Sequence, residues 1–149
     1  MLKSNKKGFT LIELLVVIGV LSVLLVITLV AINPARQFSL ANNTKRRSDV
    51  NSILNAIHQY AADHKGVLPA GITTSALEVA STGANVCTSL VSDYLAALPA
   101  DPLTNEGASV TDCTAAYTTG YTVVKSATNN RVTVTASNAE LSEVISVTR

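Results

Sequence analysis

Residues 9–32 read FTLIELLVVIGVLSVLLVITLVAI, twenty-four positions whose only charge is Glu13, and no other feature constrains this chain so strongly. At about 1.5 Å rise per helical residue the run is roughly 36 Å long, enough to cross a hydrocarbon core of about 30 Å. A carboxylate inside such a span costs on the order of 2.5–3.5 kcal/mol on insertion scales. A membrane anchor has no use for that cost, so something must compensate it.

The segment before the run, MLKSNKKG, is short, polar and basic. A secretory signal peptide would show an apolar core of about 7–15 residues and then a small-x-small cleavage site. Here the run is longer and is followed by Ile32-Asn33-Pro34-Ala35, a poor site of that kind. A plain signal anchor explains the basic start and the length but not Glu13. Lys3, Lys6 and Lys7 on one flank nearly balance Arg36, Lys45, Arg46 and Arg47 on the other, so counting positive charges does not decide the topology. Cys87 and Cys113 do bear on it. An even pair in a small extracytoplasmic domain reads most simply as one disulfide, with two buried thiols as the alternative. This tilts the reading to a single-pass protein with its N-terminus inside.

At Lys7-Gly8-Phe9-Thr10-Leu11-Ile12-Glu13 the chain resembles the type IV pilin and pseudopilin family. The resemblance is close over about the first 30 residues and loose beyond them. It implies a leader of residues 1–8, cut after Gly8 by a prepilin peptidase that then N-methylates Phe9. It also implies that Glu13 pairs with the positive N-terminal amine of a neighbouring subunit. An ammonium within a few ångströms in low dielectric is among the few partners able to offset a buried carboxylate. The implied partners are the peptidase and methyltransferase, a pilus assembly platform and further copies of the chain in a helical filament. The implied location is the cytoplasmic membrane, then an extracytoplasmic filament.

Beyond the run, Asn33-Pro34 predicts a kink or a helix restart, since proline removes a helix hydrogen bond yet suits a first turn. Many family members break their helix a few residues earlier, where this chain has Val30. Residues 34–66 read as an amphipathic stalk: Val50, Ile53, Leu54, Ile57, Tyr60 and Ala61 recur at three- and four-residue spacings. Lys65-Gly66 with Pro69 marks its end. Lys45-Arg46-Arg47 is basic enough to consider lipid headgroups, phosphate or DNA, but reads best as a solvated, filament-facing stretch without interleaved aromatics. Asn42-Asn43-Thr44 has the form of a glycosylation sequon.

Residues 67–149 form the head. Residues 90–98 (LVSDYLAAL) suggest a short helix stopped by Pro99. Residues 121–125 and 131–135 alternate around an Asn129-Asn130 turn, and residues 143–148 add a third strand. The expected fold is therefore α+β: a long N-terminal helix, half transmembrane and half amphipathic, packed on a small antiparallel sheet. The family shares that arrangement, and Leu98-Pro99-Ala100-Asp101-Pro102 is similar to the major pseudopilins. The cysteine pair, in mid-domain, departs from the C-terminal clasp of many adhesive pilins.

No catalytic constellation is present. His58 and His64 fall about 240° apart on a helix and cannot share a ligand. Neither cysteine has a neighbouring histidine base. Asp101, Glu106 and Asp112 share a loop and are candidates for calcium. Their spacing is not that of an EF-hand and they read best as solvated loop acids, so neither metal nor cofactor is expected. With 14% charged residues and a net charge of +1, the composition makes no case for nucleic acid. The sequence favours a structural filament subunit. The alternatives are a signal-anchored monomeric extracytoplasmic binding protein and a DNA-uptake pilin.

Overall fold

The computed structural model describes residues 8–149. Most of the expected leader, with Lys3, Lys6 and Lys7, lies outside the described residues. The described residues divide into two units, one ending at Phe38 and the other Ser39–Arg149.

In the first unit, α1 spans Leu11–Ile32, and every one of its residues is exposed. It is long and apolar enough to cross a membrane. Thr10 caps its start in an extended conformation, and Asn33 ends it in the left-handed region at φ 48°. The same Asn33 begins the next helix. Its side-chain Oδ1 accepts from the Arg36 N–H at 3.3 Å, and Pro34 takes the first position of α2, Pro34–Asp63. Proline is favoured there because its missing N–H would have no intrahelical partner. The chain therefore restarts its helix at Asn33-Pro34 instead of bending a continuous one.

The second unit is built on the later turns of α2. Val50, Ile53, Leu54 and Ile57 have no solvent exposure and join one core cluster with Tyr121, Val123, Val132, Val134 and Ile145. Each such side chain contributes roughly 1.5–3 kcal/mol through its removal from water. Past Asp63 the helix is closed by left-handed residues Lys65 and Gly66, with the Gly66 N–H donating to the Ala61 carbonyl at 2.7 Å.

The sheet has four strands, β1 (Leu77–Ala80), β2 (Thr118–Lys125), β3 (Val132–Ala136) and β4 (Ile145–Thr148), in that spatial order and all antiparallel. Strand β3 alternates buried and half-buried residues, as a sheet with one covered face requires. The β2–β3 turn contains Asn130 at φ 55°, a conformation asparagine tolerates. An apolar N-terminal helix followed by a small antiparallel sheet makes the chain α+β.

Two expectations for the head are corrected. The sequence pattern predicts two or three strands and misses β1, a four-residue edge strand with an irregular register between Glu78 and Ala80. The helix expected at residues 90–98 is absent. One helical turn, α3 (Cys87–Leu90), stands instead before a series of turns. Ser92 adopts φ 77°, and the backbone of Leu98 pairs with Val110 at 2.9 and 2.8 Å, so tertiary pairing overrides the local helical pattern.

Candidate functional site

At the N-terminal end of α1, Glu13 folds back onto Thr10. Its Oε2 accepts from the Thr10 backbone N–H and from the Thr10 hydroxyl, each at 2.8 Å, while the Glu13 N–H donates to Thr10 Oγ1 at 3.2 Å. This capping box satisfies donors that a helix start otherwise leaves open. The sequence reading leaves Glu13 without a partner in its own chain, whereas the fold gives its carboxylate two hydrogen bonds there. The Thr-x-x-Glu spacing is the signal that makes Thr10 legible. Phe9 is 85% exposed, and a Cβ built on Gly8 meets nothing within 4 Å. The chain's own packing thus imposes no glycine at position 8.

A second constellation lies in the head. Arg46, read from the sequence as part of a solvated basic stretch, is fully buried. Its Nε and Nη2 donate to Asp101 at 2.6 and 3.1 Å, and its Nη1 donates to Glu140 at 2.7 Å and Asn43 Oδ1 at 2.9 Å. Asp101 has no exposed side-chain surface either, so it is committed to Arg46 and is not a loop acid open to calcium. Gly120, at φ 76°, makes room: a Cβ there would meet Thr104 Oγ1 at 2.7 Å and Asp101 Cβ at 2.9 Å. Glu140 also accepts from Ser39 at 2.8 Å and Asn42 at 2.9 Å. Arg46 first, then Asn42 and Ser39, hold its carboxyl down at about 2.

This arrangement disposes of two sequence-level candidates. The remaining basic residues of the cluster are occupied: Lys45 donates to the Ala100 carbonyl at 2.8 Å and faces Asp49 at 3.5 Å, and Arg47 pairs with Glu143. They form no free phosphate-binding patch. The amide of Asn42, the acceptor position of the sequon, is half-buried and bonded to Glu140. Asp49 also accepts from the buried Tyr121 hydroxyl at 2.7 Å, and burial together with that carboxylate pushes the phenol's pKa up. The sequence does contain a signal for this network. Asn43 and Arg46 extend the apolar stripe of Val50, Ile53 and Ile57 one turn towards the N-terminus, so helical spacing places them on the buried face.

Cys87 and Cys113 are joined in a disulfide with Cα atoms 5.4 Å apart. It closes the segment that carries Asp101. His64 stacks on Tyr60 with ring centroids 3.9 Å apart, and Nε2 of His58 is buried with no partner. Glu106 is exposed, and the Asp112 carboxylate accepts from Thr114 at 2.8 and 2.6 Å. Among the described residues no group of three His, Cys, Asp or Glu side chains could hold a metal ion.

Residues 3–29 match the family model for the prokaryotic N-terminal methylation motif. The chain carries the type IV pilin and pseudopilin signal. Proteins with that signal are structural and not catalytic, and the signal implies processing by a prepilin peptidase and filament assembly. Its apolar part coincides with α1, which fits a membrane anchor. No curated protein and no solved structure matches the chain.

Proposed function

We propose that the protein is a structural subunit of a type IV pilus-like filament or secretion pseudopilus. It is made as a precursor, cleaved after Gly8 and N-methylated on Phe9. The reading rests on one observation: the methylation motif matched at residues 3–29 overlies an exposed apolar helix that opens on Glu13. Before assembly the membrane holds α1 with its N-terminus inside, and the disulfide-bonded head lies outside. In that state the Thr10 hydrogen bonds partly compensate the Glu13 carboxylate, but they bring no opposite charge. Cleavage exposes a cationic amine at Phe9, and the amine of a neighbouring copy supplies the missing charge in low dielectric. Lateral packing of the apolar helices then repeats head to tail and does not close, which generates a fibre. No role in this scheme is catalytic.

The test is Glu13→Ala in the native host. Cleavage and membrane insertion should be retained, since Gly8 and the apolar run are intact, and filament yield should collapse. Filaments at wild-type level from the Glu13→Ala chain would refute the pairing. A precursor that is never shortened, in either chain, would instead support a signal-anchored monomeric binding protein.

A further inference from the structure

The chain contains two phenylalanines, Phe9 and Phe38, one beyond each end of α1 and both highly exposed, at 85% and 72%. Residues 34–38, the first turn of α2, are all exposed. Among the described residues Arg36 takes part in no ion pair. Arg36 and Phe38 lie about 200° apart round α2, so this turn presents a guanidinium on one face and an aromatic ring on the other. It suits a surface that is apolar on one side and anionic on the other.

The chain length places such a surface here. The twenty-two residues of α1 cover about 33 Å, so Ile32 reaches the far edge of a hydrocarbon core of about 30 Å. Headgroups add roughly 5–8 Å on each side of that core. Phe38 lies five residues past the break at Asn33, at most about 8 Å along a helix. With α2 leaving the core outward or along its surface, Phe38 lies no more than about 8 Å beyond it, at the depth of the headgroups. A phenylalanine ring gains from burial at the boundary between acyl chains and headgroups, and arginine extends its charge to lipid phosphates from the same depth.

We propose that residues 34–38 form a lipid-interface anchor in the membrane-resident subunit. The Phe38 ring sits at the boundary between acyl chains and headgroups, on the side of the bilayer opposite Phe9, and the Arg36 guanidinium sits on a lipid phosphate. This rests on the reading of α1 as a transmembrane helix. It adds a specific membrane contact to a segment that the N-terminal signal does not reach.

The chain has no tryptophan, so a single substitution gives an unambiguous depth probe. Full-length Phe38→Trp is reconstituted in vesicles of phosphatidylcholine and phosphatidylglycerol, brominated either near the top or near the end of the acyl chains. Leu21→Trp, in the middle of α1, is the reference. The Phe38→Trp chain should show blue-shifted emission, quenched more by shallow than by deep bromines, and the Leu21→Trp chain should show the reverse order. Adding Arg36→Gln to the Phe38→Trp chain should weaken the shallow quenching, and unchanged quenching would overturn the phosphate contact. If the Phe38→Trp chain ignores both lipids while the Leu21→Trp chain is quenched, the anchor is overturned but the span stands. Emission from the Phe38→Trp chain that tracks the protein-to-lipid ratio places the ring on another copy and overturns the anchor as well. If the Leu21→Trp chain is not quenched either, the transmembrane reading fails with it.

Discussion

Replacing Arg46 by methionine probes the head most sharply, because the guanidinium makes four hydrogen bonds from a position with no solvent exposure. Methionine fills similar volume, so the loss is chiefly electrostatic. Asp101 then keeps the Leu103 N–H at 2.9 Å but loses both charge-assisted bonds, and its carboxylate remains buried with no cation. Removing one partner of a buried ion pair in this way costs about 3–5 kcal/mol, mostly as the penalty on the charge left behind. Against a total stability of about 5–15 kcal/mol for a domain, that is a large fraction. The assay is urea unfolding of the full chain in detergent, followed by near-ultraviolet circular dichroism of its tyrosines. The second arm is Arg46→Met combined with Asp101→Asn, which removes the stranded charge. The double variant should be more stable than Arg46→Met alone, giving a coupling of about 0.5–3 kcal/mol in the thermodynamic cycle. If Arg46→Met costs less than about 1 kcal/mol, or if the two changes simply add, Asp101 is not the group that Arg46 neutralises.

The acid limb of stability follows from Glu140. Its carboxyl titrates at about 2 in the fold against 4.5 ordinarily, so its contribution is fully present above pH 4.5 and is lost as pH falls towards 2. Glu140→Gln should flatten the fall in melting temperature between those limits, and an unchanged acid limb would remove Glu140 from the network. Replacing both Cys87 and Cys113 by alanine should destabilise the head by about 3.5 kcal/mol, the chain-entropy value for a separation of 26 residues. Urea midpoints compared with the oxidised wild type measure it, and equal midpoints would mean that the bond constrains little.

Much of the architecture is readable from spacing because burial follows periodicity. Val50, Ile53, Leu54 and Ile57 declare the packed face of α2, and the alternation around Asn129-Asn130 declares the β2–β3 hairpin. The pair Cys87 and Cys113 is equally plain. What periodicity hides is any element whose reason lies elsewhere in the chain. Strand β1 exists because β2 offers it an edge, with Leu77 opposite Val123. Residues 90–98 have a helical pattern, but Leu98 finds a backbone partner in Val110, twelve positions away. Arg46 reads as solvated when its charge is weighed above its position on the stripe. Its partners Asp101 and Glu140 lie 55 and 94 residues away, beyond the reach of local pattern. At the N-terminus the opposite holds. The motif Lys7-Gly8-Phe9-Thr10-Leu11-Ile12-Glu13 is contiguous, so sequence alone carries it.

The central claim is that this chain matures by cleavage after Gly8 and methylation of Phe9, and the intact mass of the protein purified from its native membrane tests it most directly. The account predicts the full-length mass less residues 1–8, plus one CH2 for the methyl that replaces an amine hydrogen on Phe9, and minus two hydrogens for the Cys87–Cys113 bond. A mass that retains residues 1–8 would contradict it.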